Sequence, residues 1–146
     1  MQVKCFPVTT EEEMRVCFDI RREAFVSEQN VPAELEKDGQ DPTARHFGVV
    51  VDAEIIGTCR VRLIGSAAKI ERVAILKAYR GKGIGRVLMK YILNELRKSS
   101  EIRLFRLSSQ AYAVPFYEKL GFKTRGSEYL EAGIPHYDMV LEVTRA

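Results

Sequence analysis

Three glycines alternate over five positions in Arg80-Gly81-Lys82-Gly83-Ile84-Gly85, and this stretch constrains the fold more than any other. Before it lies a mostly apolar run, residues 69–76, with Ile70, Val73 and Ile75. After it Ile84, Val87, Leu88, Tyr91, Ile92 and Leu96 recur at helical spacing. A strand that turns through glycines into an amphipathic helix gathers the helix's unpaired N–H groups and its positive dipole end at one point. Glycine leaves those amides unshielded by a Cβ. The combination is an anion cradle, and Arg80, Lys82 and Arg86 add positive charge around it. The P-loop pattern G-x-x-x-x-G-K-[ST] is absent, and the G-x-G-x-G spacing is not the G-x-G-x-x-G dinucleotide fingerprint. The bland alternative is a flexible turn that binds nothing.

The rest of the chain places this turn in a mixed α/β order. Residues 3–8 read as a short strand. Thr9 or Thr10 caps a helix whose first turn, Glu11, Glu12 and Glu13, suits the positive helix end. Met14, Cys17, Phe18, Phe25 and Val26 keep roughly helical spacing, with a break near Arg21. Residues 34–43 are polar, contain Gly39 and Pro42, and read as a loop. Residues 46–51 and 54–63 form strands joined at Asp52-Ala53 as a hairpin. After the glycine-rich turn and its helix come a strand at 102–108 and a short helix at 113–120 stopped by Gly121. Residues 122–124 and 137–143 are the last strands. Antiparallel strands first, then strand–helix–strand–helix–strand, is an α+β pattern.

Length and composition narrow the classes. The 146 residues suit one domain spanning 1–146, and 46% hydrophobic with 29% charged residues is a soluble globular mixture. A net charge of +3 suits a polyanionic small molecule but is too small to argue for nucleic acid, and no aromatic platform surrounds the basic residues. No apolar stretch approaches the ~18 residues of a membrane span, and the N-terminus lacks a signal-peptide run. The expectation is therefore a cytoplasmic protein without a membrane partner. Cys5, Cys17 and Cys59 form neither a metal spacing nor a disulfide framework, and His46 and His136 are the only histidines, so no metal site is expected.

Here a resemblance enters. The pattern [QR]-x-x-G-x-[GA] after a strand resembles motif A of the GNAT superfamily of acyl-CoA-dependent N-acyltransferases, and Arg80, Gly83 and Gly85 match it. Val73-Ala74-Ile75-Leu76 resembles the preceding segment. Ala113-Val114-Pro115-Phe116-Tyr117-Glu118-Lys119-Leu120-Gly121-Phe122 resembles motif B, A-x-x-F-Y-E-K-L-G-F. Many relatives carry Asn three residues before that alanine, where this chain has Gln110, an amide with a longer arm. Residues 22–32, with Arg22, Glu28 and Gln29, and residues 131–139, with His136, resemble segments of a little-characterised bacterial subgroup. The resemblance implies a GNAT fold, a mostly antiparallel sheet splayed between the strands at 69–76 and 102–108 with helices on both faces. It implies acetyl-CoA or coenzyme A as cofactor, its pyrophosphate on Arg80, Gly81, Lys82, Gly83, Ile84, Gly85 and Arg86. Its pantetheine arm would lie along Val73, Ala74 and Ile75, with Gln110 also contacting the cofactor and Tyr117 beside the sulfur. The partner is a small-molecule or peptide amine, and a homodimer is compatible. Residues 22–32 also resemble acyl-homoserine-lactone synthases, which keeps a longer acyl donor open, as does a non-catalytic CoA sensor.

N-Acetyl transfer needs a deprotonated amine, donors for the developing oxyanion and an acid for the leaving thiolate. Tyr117 is the candidate acid by the resemblance; the alternative is a core tyrosine. The oxyanion donor is a backbone amide near Val73 to Ile75. Glu71 is one candidate base. Strand alternation puts Glu71, Val73 and Ile75 on one face, and the alternative is a salt bridge to Arg60, Arg62 or Arg72. His136 is the other candidate, against a purely local hydrogen bond. Arg22, Glu28 and Gln29 line the acceptor pocket, or else form a solvated helix face. Transfer is expected to be direct, without an acyl-cysteine.

Overall fold

The computed structural model describes residues 1–144. Seven strands form one sheet: β1 (Val3–Pro7), β2 (Arg45–Val51), β3 (Glu54–Ile64), β4 (Ala67–Ile75), β5 (Leu104–Gln110), β6 (Lys123–Glu131) and β7 (Ile134–Glu142). Their order is β1-β2-β3-β4-β5-β7-β6. Only β4 and β5 pair in parallel; the other neighbours are antiparallel. The helices are α1 (Glu11–Arg21), the one-turn α2 (Ala33–Glu36), α3 (Ile84–Arg97) and the short α4 (Val114–Glu118). Among the described residues no helix is long and apolar enough to cross a membrane.

α1 begins where the sequence places it. The Thr10 Oγ1 accepts from the Glu13 amide and the Glu13 carboxylate accepts from the Thr10 amide, a reciprocal cap. The break expected near Arg21 is a π-helical segment, Arg22–Glu28, that continues α1 without interruption. Such wide turns rotate the side chains that follow them, and they recur at functional sites. α3 buries Ile84, Leu88, Met89, Ile92, Leu93 and Leu96 against the sheet, at about 1.5–3 kcal/mol for each large apolar side chain. They join Phe47, Val49, Val61, Ile70, Phe105 and Leu107 in the main core. A smaller core of Ile20, Ala24 and Ala74 lies under α1.

Two expectations fail for identifiable reasons. Residues 34–43 are not simply a loop: Ala33–Glu36 closes a helical turn and Asp41–Thr43 a 3-10 turn. These turns are held by buried ion pairs rather than by apolar periodicity. β6 runs nine residues rather than three, because it is an exposed edge strand whose polar stretch carries no hydrophobic alternation.

The feature that opens the sheet is in β4. Thr58 pairs with Ala74 and Arg60 with Glu71, two steps on β3 against three on β4. Arg72 is the extra residue, with φ 55°, a left-handed backbone that non-glycine residues rarely adopt. β4 and β5 pair only from Ala67↔Leu104 to Ile70↔Leu107 and then part. β5 instead stays paired with β7 as far as Gln110↔His136.

Candidate active site

The parting of β4 and β5 opens a cleft of about 580 Å³. Val73 and Glu71 line it from β4, Ser108 and Gln110 from β5, Tyr117 from α4 and His136 from β7. Past Ile70 the β5-facing edge of β4 has no strand partner among the described residues. Its amides are the candidate oxyanion donors.

At one end of the cleft lies the glycine turn. Gly81 and Gly83 have φ of 77° and 79°, which only glycine adopts cheaply, and Gly83 is the N-cap of α3. No side chain caps that terminus, so its first amides point outward unsatisfied by protein groups among the described residues. A Cβ at Gly81 or Gly83 would meet nothing within 4 Å, so these glycines serve backbone conformation rather than close packing. Lys82 and Arg86 are exposed beside them. Ile84 is 2% exposed, so only its backbone can face an anion there.

Arg80 is committed elsewhere. Its guanidinium donates to the Ile75 carbonyl at 2.8 Å and to both Glu28 carboxylate oxygens at 2.7 and 3.0 Å. The Gln110 amide donates to the neighbouring Gln29 side chain at 2.6 Å. Glu28 and Gln29, expected in an acceptor pocket, thus bind residues expected at the cofactor and span the mouth of the parted strands. The π-helical segment makes this reach possible. Arg22 points away, pairing with Asp19 at 3.2 Å on an exposed face outside the cleft lining.

Tyr117 faces the cleft with its ring edge-on to Phe116 and Phe122. Burial pushes its phenol above the usual range, reinforced by the nearby Cys59 and Tyr112. It therefore stays an O–H donor, and that O–H has no hydrogen-bond partner among the described residues.

Glu71 does not share a face with Val73. The extra residue Arg72 shifts the alternation, so Ile70 and Val73 pack toward the main core while Glu71 and Ala74 turn to the α1 side. There Glu71 accepts from Arg60 at 2.9 Å and Arg62 at 2.7 Å, with Lys69 at 3.4 Å. Burial alone would raise its carboxyl, but the hydrogen bond from Arg62 and the charge of Arg60 win and lower it. A carboxylate held by three cations is a poor proton acceptor.

His136 is 6% exposed. Its Nδ1 lies 2.6 Å from the Ile134 carbonyl, an acceptor, so Nδ1 carries the hydrogen. Nε2 is left facing Glu131 at 3.5 Å, with both residues on the cleft wall.

Sequence reasoning missed the ionic network behind this wall. Arg21 and Arg60, each 1% exposed, bind Glu36, Asp38 and Asp41, and Arg72 joins at Glu36. The signal was present as alternating Arg60 and Arg62 on a strand and acids spaced through residues 34–41. None of the three thiols lines the cleft. Cys59 is fully buried, and burial first, then the Glu71 charge, raises its pKa far above the usual range.

Comparison with known proteins agrees with this geometry. The acetyltransferase (GNAT) domain family matches residues 5–143. The uncharacterised N-acetyltransferase YjcF of Bacillus subtilis is 37% identical over 139 residues, covering 94% of this chain and 99% of that protein. The crystal structure of Escherichia coli ElaA superposes with a TM-score of 0.86 at 26% identity, covering 95% of this chain and 99% of that one. The PaiA N-acetyltransferase of Thermoplasma acidophilum, solved in complex with coenzyme A, shares the fold, with a TM-score of 0.76 at 17% identity and coverage of 98% and 100%. A seven-stranded sheet that opens between its two parallel strands, and a sequence match over nearly its whole length, make this chain a member of the GNAT acetyltransferase family.

Proposed function

We propose that the protein transfers an acetyl group from acetyl-CoA to a primary amine by direct attack, with both substrates bound together. One observation carries the reading: the parted strands open between an uncapped helix N-terminus and the hydroxyl of a half-buried tyrosine that no protein group engages among the described residues. The residues fit coenzyme A. The α3 amides, with Lys82 and Arg86, would hold the pyrophosphate, and the open edge of β4 would take the polar pantetheine arm. The complex of the Thermoplasma relative with coenzyme A supports the same choice of ligand.

Acetyl-CoA supplies a thioester whose carbonyl carbon forms the new C–N bond and whose C–S bond breaks. His136 Nε2 receives the amine proton, because the Nδ1–H bond to Ile134 leaves Nε2 with its lone pair. Glu131 at 3.5 Å stabilises the imidazolium that results. Tyr117 gives its proton to the departing sulfur. The edge amides of β4 beyond Ile70 receive the developing oxyanion. Glu71 fixes Arg60 and Arg62 and does not exchange protons. The buried Cys59 supports transfer without an acyl-enzyme. The reaction belongs in the cytoplasm, where free thiols persist.

The test is thiol release by purified protein over a panel of primary amines with acetyl-CoA. Amine-dependent release that collapses in Tyr117→Phe supports the reading. Binding of acetyl-CoA with no release against any amine sinks it.

A further inference from the structure

The acceptor end of the cleft carries a charge pattern that the transfer chemistry does not use. Arg62 pairs in register with Lys69, Lys69 with Arg106, Arg106 with Val140, and Val140 with Lys123. Register partners share a face, so four cations and one valine form a single row across β3, β4, β5, β7 and β6, with neighbouring strands about 4.8 Å apart. This is the face bearing Glu71 and His136, on the α1 side of the sheet. Like charges directly opposite each other destabilise a sheet. A row of this kind with no acid in it needs another reason to exist.

The acids around it neutralise it only in part. Glu71 is the nearest on β4 and is shared among Arg60, Arg62 and Lys69. Asp138 and Glu142 flank Val140 on β7. Asp138 accepts instead from the Tyr129 hydroxyl at 2.7 Å. Arg106 has no hydrogen-bond or ion-pair partner among the described residues, and its Nε is shut off from solvent. A shielded guanidinium N–H without an acceptor is costly, and such groups call for a specific explanation.

Resting on the acetyltransferase reading, we infer that the row Arg62, Lys69 and Arg106 binds an anionic group of the acceptor, so that the substrate is a small amine carrying a carboxylate or phosphate. Arg62 and Lys69 line the same cleft as Tyr117 and His136. Gln110, the register partner of His136, stands four residues along β5 from Arg106, roughly 13 Å of strand. Long basic side chains leaning along the strand cover part of that span. An amine at His136 and an acid at Arg106 are then several bonds apart, which favours ω-amino acids over α-amino acids. With Nε shielded, the Arg106 guanidinium presents its two Nη groups, whose planar N–H edge matches a carboxylate or phosphate.

The test compares ε-aminocaproate with its amide, and aminohexyl phosphate with aminohexanol, at saturating acetyl-CoA. The anionic member should have kcat/KM roughly ten-fold above its neutral partner, as one charge-assisted contact allows. That gap should collapse in Arg106→Gln and shrink in Lys69→Gln. Whichever pair shows the larger gap separates carboxylate from phosphate as the source. Both variants should fold, since Arg106 has no partner to lose and the partly exposed Lys69 loses only its 3.4 Å pairing with Glu71. The Arg106 Nε–H resonance of labelled protein should shift saturably on titration with ε-aminocaproate or aminohexyl phosphate. A neutral preference, a gap that survives both substitutions, or a resonance indifferent to both anions overturns the inference. If the resonance responds but no amine is acetylated, the anion site stands and the transferase reading fails alone.

Discussion

Glu71 and Val73 lie on opposite faces of β4, although they are two residues apart, because Arg72 between them takes a left-handed backbone. One inserted residue separates two roles. Val73 stays beside the opening of the sheet, and Glu71 is delivered into a ring of arginines. Both Glu71 and His136 line the cleft, but three cations hold the Glu71 carboxylate, and His136, from a different strand, is the proposed proton acceptor.

Tyr117→Phe should lower kcat by about 10²-fold or more, the usual contribution of a positioned acid. Acetyl-CoA affinity and melting temperature should barely change, because the hydroxyl makes no protein hydrogen bond. Thiol-release kinetics beside calorimetric titration with acetyl-CoA check this. Undiminished kcat in the variant removes Tyr117 as the acid.

His136→Gln keeps a side-chain N–H for the Ile134 carbonyl but cannot accept the amine proton. It should cost about 10²–10⁴-fold in kcat. Glu71→Gln should leave kcat largely in place while lowering thermal stability. The opposite assignment of effects would restore Glu71 as the base.

Gly83→Ala places a Cβ on a residue at φ 79°, which costs roughly 1–2 kcal/mol. Because the cradle amides follow this residue, KM for acetyl-CoA should rise about ten-fold, with a smaller effect on the amine KM. Inhibition by free coenzyme A should weaken in parallel. Equal change in both KM values would mean a general loss of fold rather than of the cradle.

The ionic network should make stability depend on pH in acid. The hydrogen bond from Arg60 holds Asp38 well below the usual carboxylate range, and Asp41 is lowered by Arg21 and Arg60 against the opposing effect of its burial. Both folded values are depressed, so the stabilisation is complete above the unfolded carboxylate range near pH 4 and is lost as pH falls through the lower folded values. Melting temperature should be flat near neutrality and drop below about pH 4. Arg60→Gln should strip a buried partner from Asp38, Asp41 and Glu71, destabilise by about 3–5 kcal/mol and flatten that acid dependence.

Replacing Cys5, Cys17 and Cys59 together with alanine should preserve turnover, at a stability cost of about 1 kcal/mol for each buried thiol truncated. Intact-mass measurement after mixing with acetyl-CoA should show no added acetyl group on the wild-type protein.

The sequence alone determined what depends on local chemistry. The glycine turn at Arg80–Gly85 needs positive φ and an uncapped helix start, and both are properties of a few adjacent residues. The amphipathic stripe of α3, the cap at Thr10 and the family resemblance were legible for the same reason. The tertiary structure decided what depends on residues far apart in the chain. It set Glu28 against Arg80 and Gln29 against Gln110, joining segments 52 and 81 residues distant. It turned the acids of residues 34–41 from a polar loop into counter-ions for Arg21 and Arg60. It also gathered Arg62, Lys69 and Arg106 into one row. Register between strands is fixed by the sum of all their contacts and by bulges such as Arg72, so no local window of sequence contains it.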